Sequence, residues 1–190
     1  MNLKVEIYRK ISHLSSSLIA FGVLLLDRSI YIPILFFLTT FVLFFDFLRI
    51  KFDLVSKYYD RFFKIFTREI EKKKITGASF VFIGSLLTVL FFSKEIAFLG
   101  LLIMSISDSC AAVFGILFGK TKLFNKSLEG SLAFFISTFT ILFFSELNIV
   151  ENLIVSFIAT CVELFSSYKY NDNVLIPVIT CAAIYLFKVI

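Results

Sequence analysis

In an otherwise oily chain, the stretch from Ser105 to Gly130 gathers an acid, small residues, lysines and glycines. Asp108 stands inside an apolar run from Ile96 to Phe118, where an ionised side chain costs at least about 3 kcal/mol and marks a functional position. On a helix, Ser105, Asp108, Ala111, Ala112, Gly115 and Gly119 share one small-residue face, which lets another backbone or a ligand approach closely. That face runs into Lys120, Lys122 and Lys126 and then into a helix start near Ser127 and Glu129. An acid suited to a metal ion, point charges suited to phosphate and a positive helix end together point to nucleotide phosphate chemistry. Each feature alone has a plainer reading, since small faces pack helices and lysines after an apolar run report topology.

The elements that must position these residues are apolar. The chain has 190 residues, 59% hydrophobic and 17% charged, with 27 Phe and a mean hydropathy of +0.95. Such a composition predicts an all-α, polytopic integral membrane protein with a single domain over 1–190. Seven apolar segments are expected to cross, near 14–27, 30–48, 76–92, 96–118, 128–144, 148–166 and 174–189. The first has no small-residue cleavage site after it, so a removed signal peptide is not expected. Cys110, Cys161 and Cys181 fall within apolar runs without a CxxC or a neighbouring His, and they read as small hydrophobes rather than disulfides or ligands.

Charge sets the expected orientation. Of the 19 Lys and Arg, all but Arg28, Lys94 and Lys188 lie before the first segment or in the 49–74, 119–127 and 167–173 connections. The positive-inside rule then places the N-terminus in the cytoplasm and the C-terminus outside. Within 49–74, Leu54, Val55, Tyr58, Tyr59, Phe62, Phe63 and Phe66 recur at helical spacing opposite Lys57, Arg61, Lys64 and Arg68, the pattern of a helix lying flat on a leaflet. Lys72, Lys73 and Lys74 follow and could guide a polyphosphate. Spans three, five and seven begin with Thr76, Ser127 and Asn173, competent caps whose positive helix ends should converge on the cytoplasmic side. Asp46, Glu129 and Glu163 lie near that side too, and Asp108 about 15 Å deeper at the helical rise per residue.

Ser107-Asp108-Ser109-Cys110-Ala111-Ala112, Gly115, Gly119-Lys120 and Lys126-Ser127-Leu128-Glu129-Gly130-Ser131 resemble the core motif of the CTP-dependent lipid kinases. That family includes dolichol and polyprenol kinases, phytol kinase and CTP-dependent diacylglycerol kinase, and it is distantly similar to phosphatidate cytidylyltransferase. The resemblance extends through Arg9-Lys10-Ile11-Ser12-His13, Thr76-Gly77-Ala78-Ser79, Glu163 and Asp172-Asn173. Ser107 stands where members most often carry Gly. No P-loop is present, so the nucleotide must be held by other means.

The resemblance implies a kinase moving the γ-phosphate of CTP to the hydroxyl of a membrane alcohol, with a divalent cation such as Mg²⁺. Asp108 is then the first metal ligand, with Glu129 or Asp172 completing the shell. Lys120 and Lys126 hold phosphates, assisted by Arg9, Lys10 and His13, and Thr76, Gly77, Gly115, Gly119, Ser127, Gly130 and Asn173 contribute close backbone or helix ends. The acceptor base is open among Asp108, Glu163 and His13. A vestibule is expected between the Asp108–Gly119 face and the starts of spans three, five and seven, with the flat helix as its rim. Three other classes stand beside this reading: CMP transfer to a lipid phosphate, transport along a path lined by Asp108, and a purely structural scaffold.

Overall fold

A computed structural model describes residues 3–63, 71, 74–166 and 171–189, with the backbone only for residues 3–7 and 9. Ten helices are described: α1 Leu3–Ser15, α2 Ser17–Leu25, α3 Arg28–Lys51, α4 Asp53–Phe63, α5 Gly77–Phe91, α6 Lys94–Leu102, α7 Asp108–Phe118, α8 Leu128–Leu142, α9 Ile149–Phe165 and α10 Asp172–Val189. A π-helical turn, Ile103–Ser107, joins α6 to α7 without a break. Between α7 and α8 the 119–127 connection, expected as a plain loop, folds back as a two-residue hairpin, β1 Lys122–Leu123 against β2 Lys126–Ser127.

Each of the seven expected apolar segments contains a helix. Arg28–Lys51, Lys94–Phe118 and Asp172–Val189 are long and apolar enough to cross a membrane, while Lys10–Leu25, Gly77–Phe91 and Leu128–Leu142 are apolar but shorter. The protein is accordingly a membrane protein. Its outer surface carries large apolar side chains in numbers that water would not tolerate, among them Phe36, Phe37, Phe44, Phe91, Phe118, Phe144 and Phe157. The interior is built from Leu101, Ile103, Met104, Phe134, Val155, Ile176 and Ile184, all fully buried. The π turn and α6 therefore run through the centre, with α2, α5, α8 and α10 packed against them.

Two glycines let α10 lie close to its neighbours. A Cβ on Gly84 would collide with the Asn173 carbonyl, and one on Gly100 with Cys181 Sγ and the Pro177 carbonyl. Cys181 is a buried thiol bonded to the Ile96 carbonyl, and the three cysteines are unpaired as expected.

The helix starts depart from expectation in two cases of three. Ser127 caps α8, accepting from Gly130 N at 3.1 Å. Thr76 precedes α5, but its own side chain makes no cap bond. Asn173 does not cap α10, which begins at Asp172; Asn171 Oδ1 accepts from Asn173 N instead, because the polar Asn-Asp-Asn run offers an earlier side chain able to take that N–H. α4 realises the amphipathic pattern, with Leu54, Tyr58 and Phe62 exposed. The expected continuation through Lys64, Phe66, Arg68, Lys72 and Lys73 lies outside the described residues, as does Lys169.

Ends expected on one side of the membrane do meet. Arg28 donates to the carbonyls of Val89 and Leu90, and Lys188 pairs with Glu146 at 2.9 Å.

Candidate active site

The π turn widens the helix immediately before Asp108. Such turns leave backbone carbonyls without their usual partner, and here serine hydroxyls bond into the stretch: Ser105 Oγ reaches the carbonyls of Leu101 and Leu102, and Ser109 Oγ the Ser105 carbonyl at 2.6 Å. Asp108 emerges toward α1 with only 4% of its surface exposed. Lys10 Nζ donates to Asp108 Oδ2 at 2.5 Å, and His13 Nε2 lies 3.0 Å from the same oxygen. Lys10 and His13 are themselves buried. A carboxylate and an ammonium removed from water this far persist only as a pair. The other nitrogen of His13 faces Ser16 Oγ at 3.3 Å.

His13 also forms part of the wall of a cavity of about 440 Å³. The α1–α2 turn contributes Ser12, His13, Ser15 and Ser16, and Ile19 follows from α2. Tyr59 and Phe63 come from α4, Glu71 follows, Thr76 precedes α5, which gives Gly77, Ala78, Val81 and Phe82, and Asn173 comes from α10. Asn173 Nδ2 donates to the Gly77 carbonyl at 3.2 Å, so the starts of α5 and α10 are joined at the cavity. The expected vestibule is thus present in part. Its rim helix and the starts of spans three and seven are there, but the Asp108–Gly119 face and the start of α8 are not among its described lining residues.

That face is used for packing instead. A Cβ on Gly130 would stand 2.7 Å from the Ala111 carbonyl oxygen and 3.3 Å from Gly115 Cα, and one on Gly119 would crowd Ser127. Gly115, Gly119 and Gly130 therefore seat α7 against α8 and the hairpin.

A second polar cluster lies beyond the hairpin. Lys126 Nζ pairs with Glu163 Oε1 at 2.6 Å and reaches Ser166 Oγ at 3.3 Å, while Ser131 Oγ donates to Glu163 Oε2. Glu163 is buried. The structure thus gathers Lys10, His13, Thr76, Gly77, Asn173 and Asp108 in one place and Lys126, Ser127, Gly130 and Glu163 in another.

Other expected residues lie apart. Lys120 is exposed on the hairpin. The Arg9 side chain lies outside the described residues, although its backbone is in α1 beside Lys10. Glu129 accepts from Thr121 N at 3.1 Å and closes the hairpin loop. Asp172 Oδ1 accepts from Asn173 N at the start of α10. Asp108, Glu129 and Asp172 therefore do not converge, and among the described residues no group of three His, Cys, Asp or Glu could hold a metal ion. The donor chemistry agrees, because Asp108 Oδ2 already accepts from Lys10 Nζ, with His13 Nε2 3.0 Å away. These residues do not fit a resident metal centre built from protein ligands.

Sequence reasoning placed Asp46 near the site but missed its role. Asp46 Oδ2 accepts from Thr76 N, Thr76 Oγ1 and Ser79 Oγ at 2.7, 2.9 and 2.7 Å. Its other oxygen pairs with Arg49, which holds the carbonyls of Glu71 and Lys74 and stacks over Tyr59. Asp46 thus caps α5 from α3 and fixes the cavity wall. Arg49, counted from sequence as a loop cation, is buried within α3. An Asp and an Arg three residues apart at the end of an apolar run were the available signal.

No family model and no solved structure matches the chain. Among curated proteins it is 32% identical to an uncharacterised protein of Rickettsia prowazekii over 96% of this chain and 94% of that one. It is 35% identical to an uncharacterised protein of Methanocaldococcus jannaschii over 92% and 90%. It is also 31% identical to CTP-dependent diacylglycerol kinase 1 of Schizosaccharomyces pombe over 160 residues, 74% of this chain and 73% of the relative. At that identity and coverage, the chain belongs to the CTP-dependent lipid kinase family.

Proposed function

We propose that the protein transfers the γ-phosphoryl group of CTP to the hydroxyl of a membrane lipid alcohol, whether a polyprenol or dolichol, a phytol-like isoprenoid or diacylglycerol. The observation that carries this reading is the docking of Lys10 and His13 onto Asp108 inside an apolar helix bundle. A buried acid that gathers two basic side chains from a distant helix is costly to keep for packing alone.

The acceptor oxygen forms a bond to the γ-phosphorus as the bond to the β,γ-bridging oxygen breaks. CDP leaves, and the hydroxyl proton passes to a base among Asp108, Glu163 and His13. Lys126 and the exposed Lys120 and Lys122 supply point charges at the hairpin for the polyphosphate, and the Ser127-capped start of α8 adds its helix end. Catalysis of this kind rests on positioning and charge rather than on covalent chemistry by the protein.

Seven membrane crossings with the N-terminus and site on the cytoplasmic face accord with the distribution of Lys and Arg. The test is transfer in detergent from CTP labelled separately at the α and γ positions, with prenols, phytol, diacylglycerol and a lipid phosphate (phosphatidate) as acceptors. γ label in the lipid is expected. Lipid-bound α label would make the protein a cytidylyltransferase, and no labelled lipid from any acceptor would refute both.

A further inference from the structure

We infer that Ser16, His13 and Asp108 form a proton relay, in which Ser16 Oγ takes the proton of the acceptor hydroxyl and passes its own to His13 Nδ1. The inference rests on the kinase reading and chooses one base among the three that it leaves open. Its first ground is a chain of contacts. Asp108 Oδ2 lies 3.0 Å from His13 Nε2, and His13 Nδ1 lies 3.3 Å from Ser16 Oγ. His13 and Asp108 are buried and Ser16 is half-buried. His13 and Ser16 line the cavity, whereas Asp108 is not among its described lining residues. Nδ1, which faces Ser16, is therefore the ring nitrogen on the cavity side, and Nε2 is enclosed.

The second ground is where the protons must sit. Nε2 has Asp108 Oδ2 within ion-pair distance but without a straight hydrogen bond. A proton there is attracted by the carboxylate and a bare lone pair is repelled, so the neutral ring carries its proton at Nε2 and its lone pair at Nδ1. The Ser16 hydroxyl donates to the His13 carbonyl at 2.5 Å, and rotation about its C–O bond brings that proton to Nδ1. Once Nδ1 is protonated, both ring N–H groups face acceptors, Asp108 Oδ2 and Ser16 Oγ. The imidazolium is thus better partnered than the neutral ring, which is what a general base requires. The two carboxylates are engaged elsewhere: Lys10 donates to Asp108 Oδ2, and Lys126 and Ser131 donate to the two oxygens of Glu163.

The acceptor hydroxyl is the one group in the transfer that gives up a proton, so the cavity end of the relay marks where it stands. As its oxygen bonds to the γ-phosphorus and the bond to the β,γ-bridging oxygen breaks, its proton moves to Ser16 Oγ while the Ser16 proton moves to Nδ1. The phosphorylated alcohol, CDP and a His13 imidazolium result. The imidazolium returns its proton to solvent before the next turnover.

His13 is the only histidine in the chain, so protein carrying histidine isotopically labelled at the ring nitrogens reports this ring alone. In detergent at the assay pH, the nitrogen resonances of the wild type are expected to show a protonated Nε2 and a bare Nδ1. Ser16→Ala is the kinetic probe, because the Ser16 hydroxyl donates only within its own turn and its loss spares the packing, which thermal unfolding checks. Transfer from γ-labelled CTP would be measured in parallel arms with diacylglycerol and with a prenol. In whichever arm the wild type uses, Ser16→Ala is expected to lower turnover about 100-fold with CTP KM within about twofold. Ser16→Thr keeps the hydroxyl and is expected to recover most of the loss. Unchanged turnover in Ser16→Ala, a loss that Ser16→Thr does not recover, or a wild-type ring protonated at Nδ1, alone or together with Nε2, would overturn the relay while leaving the kinase reading standing. So would γ label retained on Ser16, which would make that residue a nucleophile. Absence of transfer by the wild type to either alcohol would refute the kinase reading and this inference with it.

Discussion

Lys10 Nζ meets Asp108 Oδ2 at 2.5 Å across 98 residues of sequence, with both side chains more than nine-tenths buried. This contact turns the basic lead-in into part of the protein interior and fixes α1 on α7. It also means that charge and stability are coupled at the centre of the proposed site.

Asp108→Asn keeps the shape but leaves Lys10 buried without its counter-charge. Loss of one partner of a buried pair costs about 3–5 kcal/mol, so the variant is expected to be inactive and also to unfold at lower temperature. Adding Lys10→Met removes the stranded ammonium. The double variant is expected to recover much of the melting temperature and none of the phosphoryl transfer. Recovery of activity along with stability would show that Asp108 serves folding alone.

Asp46 and Arg49 lock the wall of the cavity from α3. Asp46→Asn loses the charge that holds Arg49, and its amide nitrogen cannot accept from the Thr76 and Ser79 donors as the carboxylate oxygen does. A destabilisation of about 3–5 kcal/mol is expected from breaking a buried pair. In preparations that remain folded, phosphoryl transfer should also fall, because the displaced start of α5 forms the cavity wall beside His13. Urea or thermal unfolding in detergent with the transfer rate checks this.

Lys126→Ala strands Glu163 in a buried position, so the informative comparison is Lys126→Ala with and without Glu163→Gln. A loss of CTP affinity of about tenfold is expected in both backgrounds, because a point charge beside phosphate is removed in each. Melting temperature should fall in the first and partly return in the second. CTP affinity restored by Glu163→Gln would mean that Lys126 acts only by neutralising Glu163.

Much of the fold was legible because a membrane helix announces itself by length and hydropathy, and all seven expected segments contain helices. Asp108 was legible for the same reason: a charge in an apolar run stands out. What joins Asp108 to α1 was not, since the π turn at Ile103–Ser107 depends on tertiary packing and has no sequence period of its own. Asp46 and Arg49 were hidden by their position, because a pair at the end of a span looks like a solvated boundary until Glu71, Lys74 and Thr76 are brought against it. The three acids expected to share a metal were grouped by the resemblance, but their local backbone offers nearer partners. Glu129 takes Thr121 N, Asp172 takes Asn173 N, and Asp108 takes Lys10.

The small-residue stripe on α7 separates packing from access, and two substitutions distinguish them. Gly130→Ala places a methyl 2.7 Å from the Ala111 carbonyl oxygen and 3.0 Å from Ser127 Oγ. The carbonyl belongs to a helix and cannot swing aside, so α8 must move off α7 and the cap at Ser127 opens. Overpacking of this kind costs about 1–3 kcal/mol, and the displaced hairpin carries Lys126 with it, so a lower melting temperature and a weaker CTP affinity are expected together. Ala112 is half-buried and is not among the described cavity residues. Ala112→Leu is therefore expected to leave the acceptor KM unchanged, with any effect confined to stability. A large rise in acceptor KM for Ala112→Leu at unchanged melting temperature would place the lipid entrance on the α7 face.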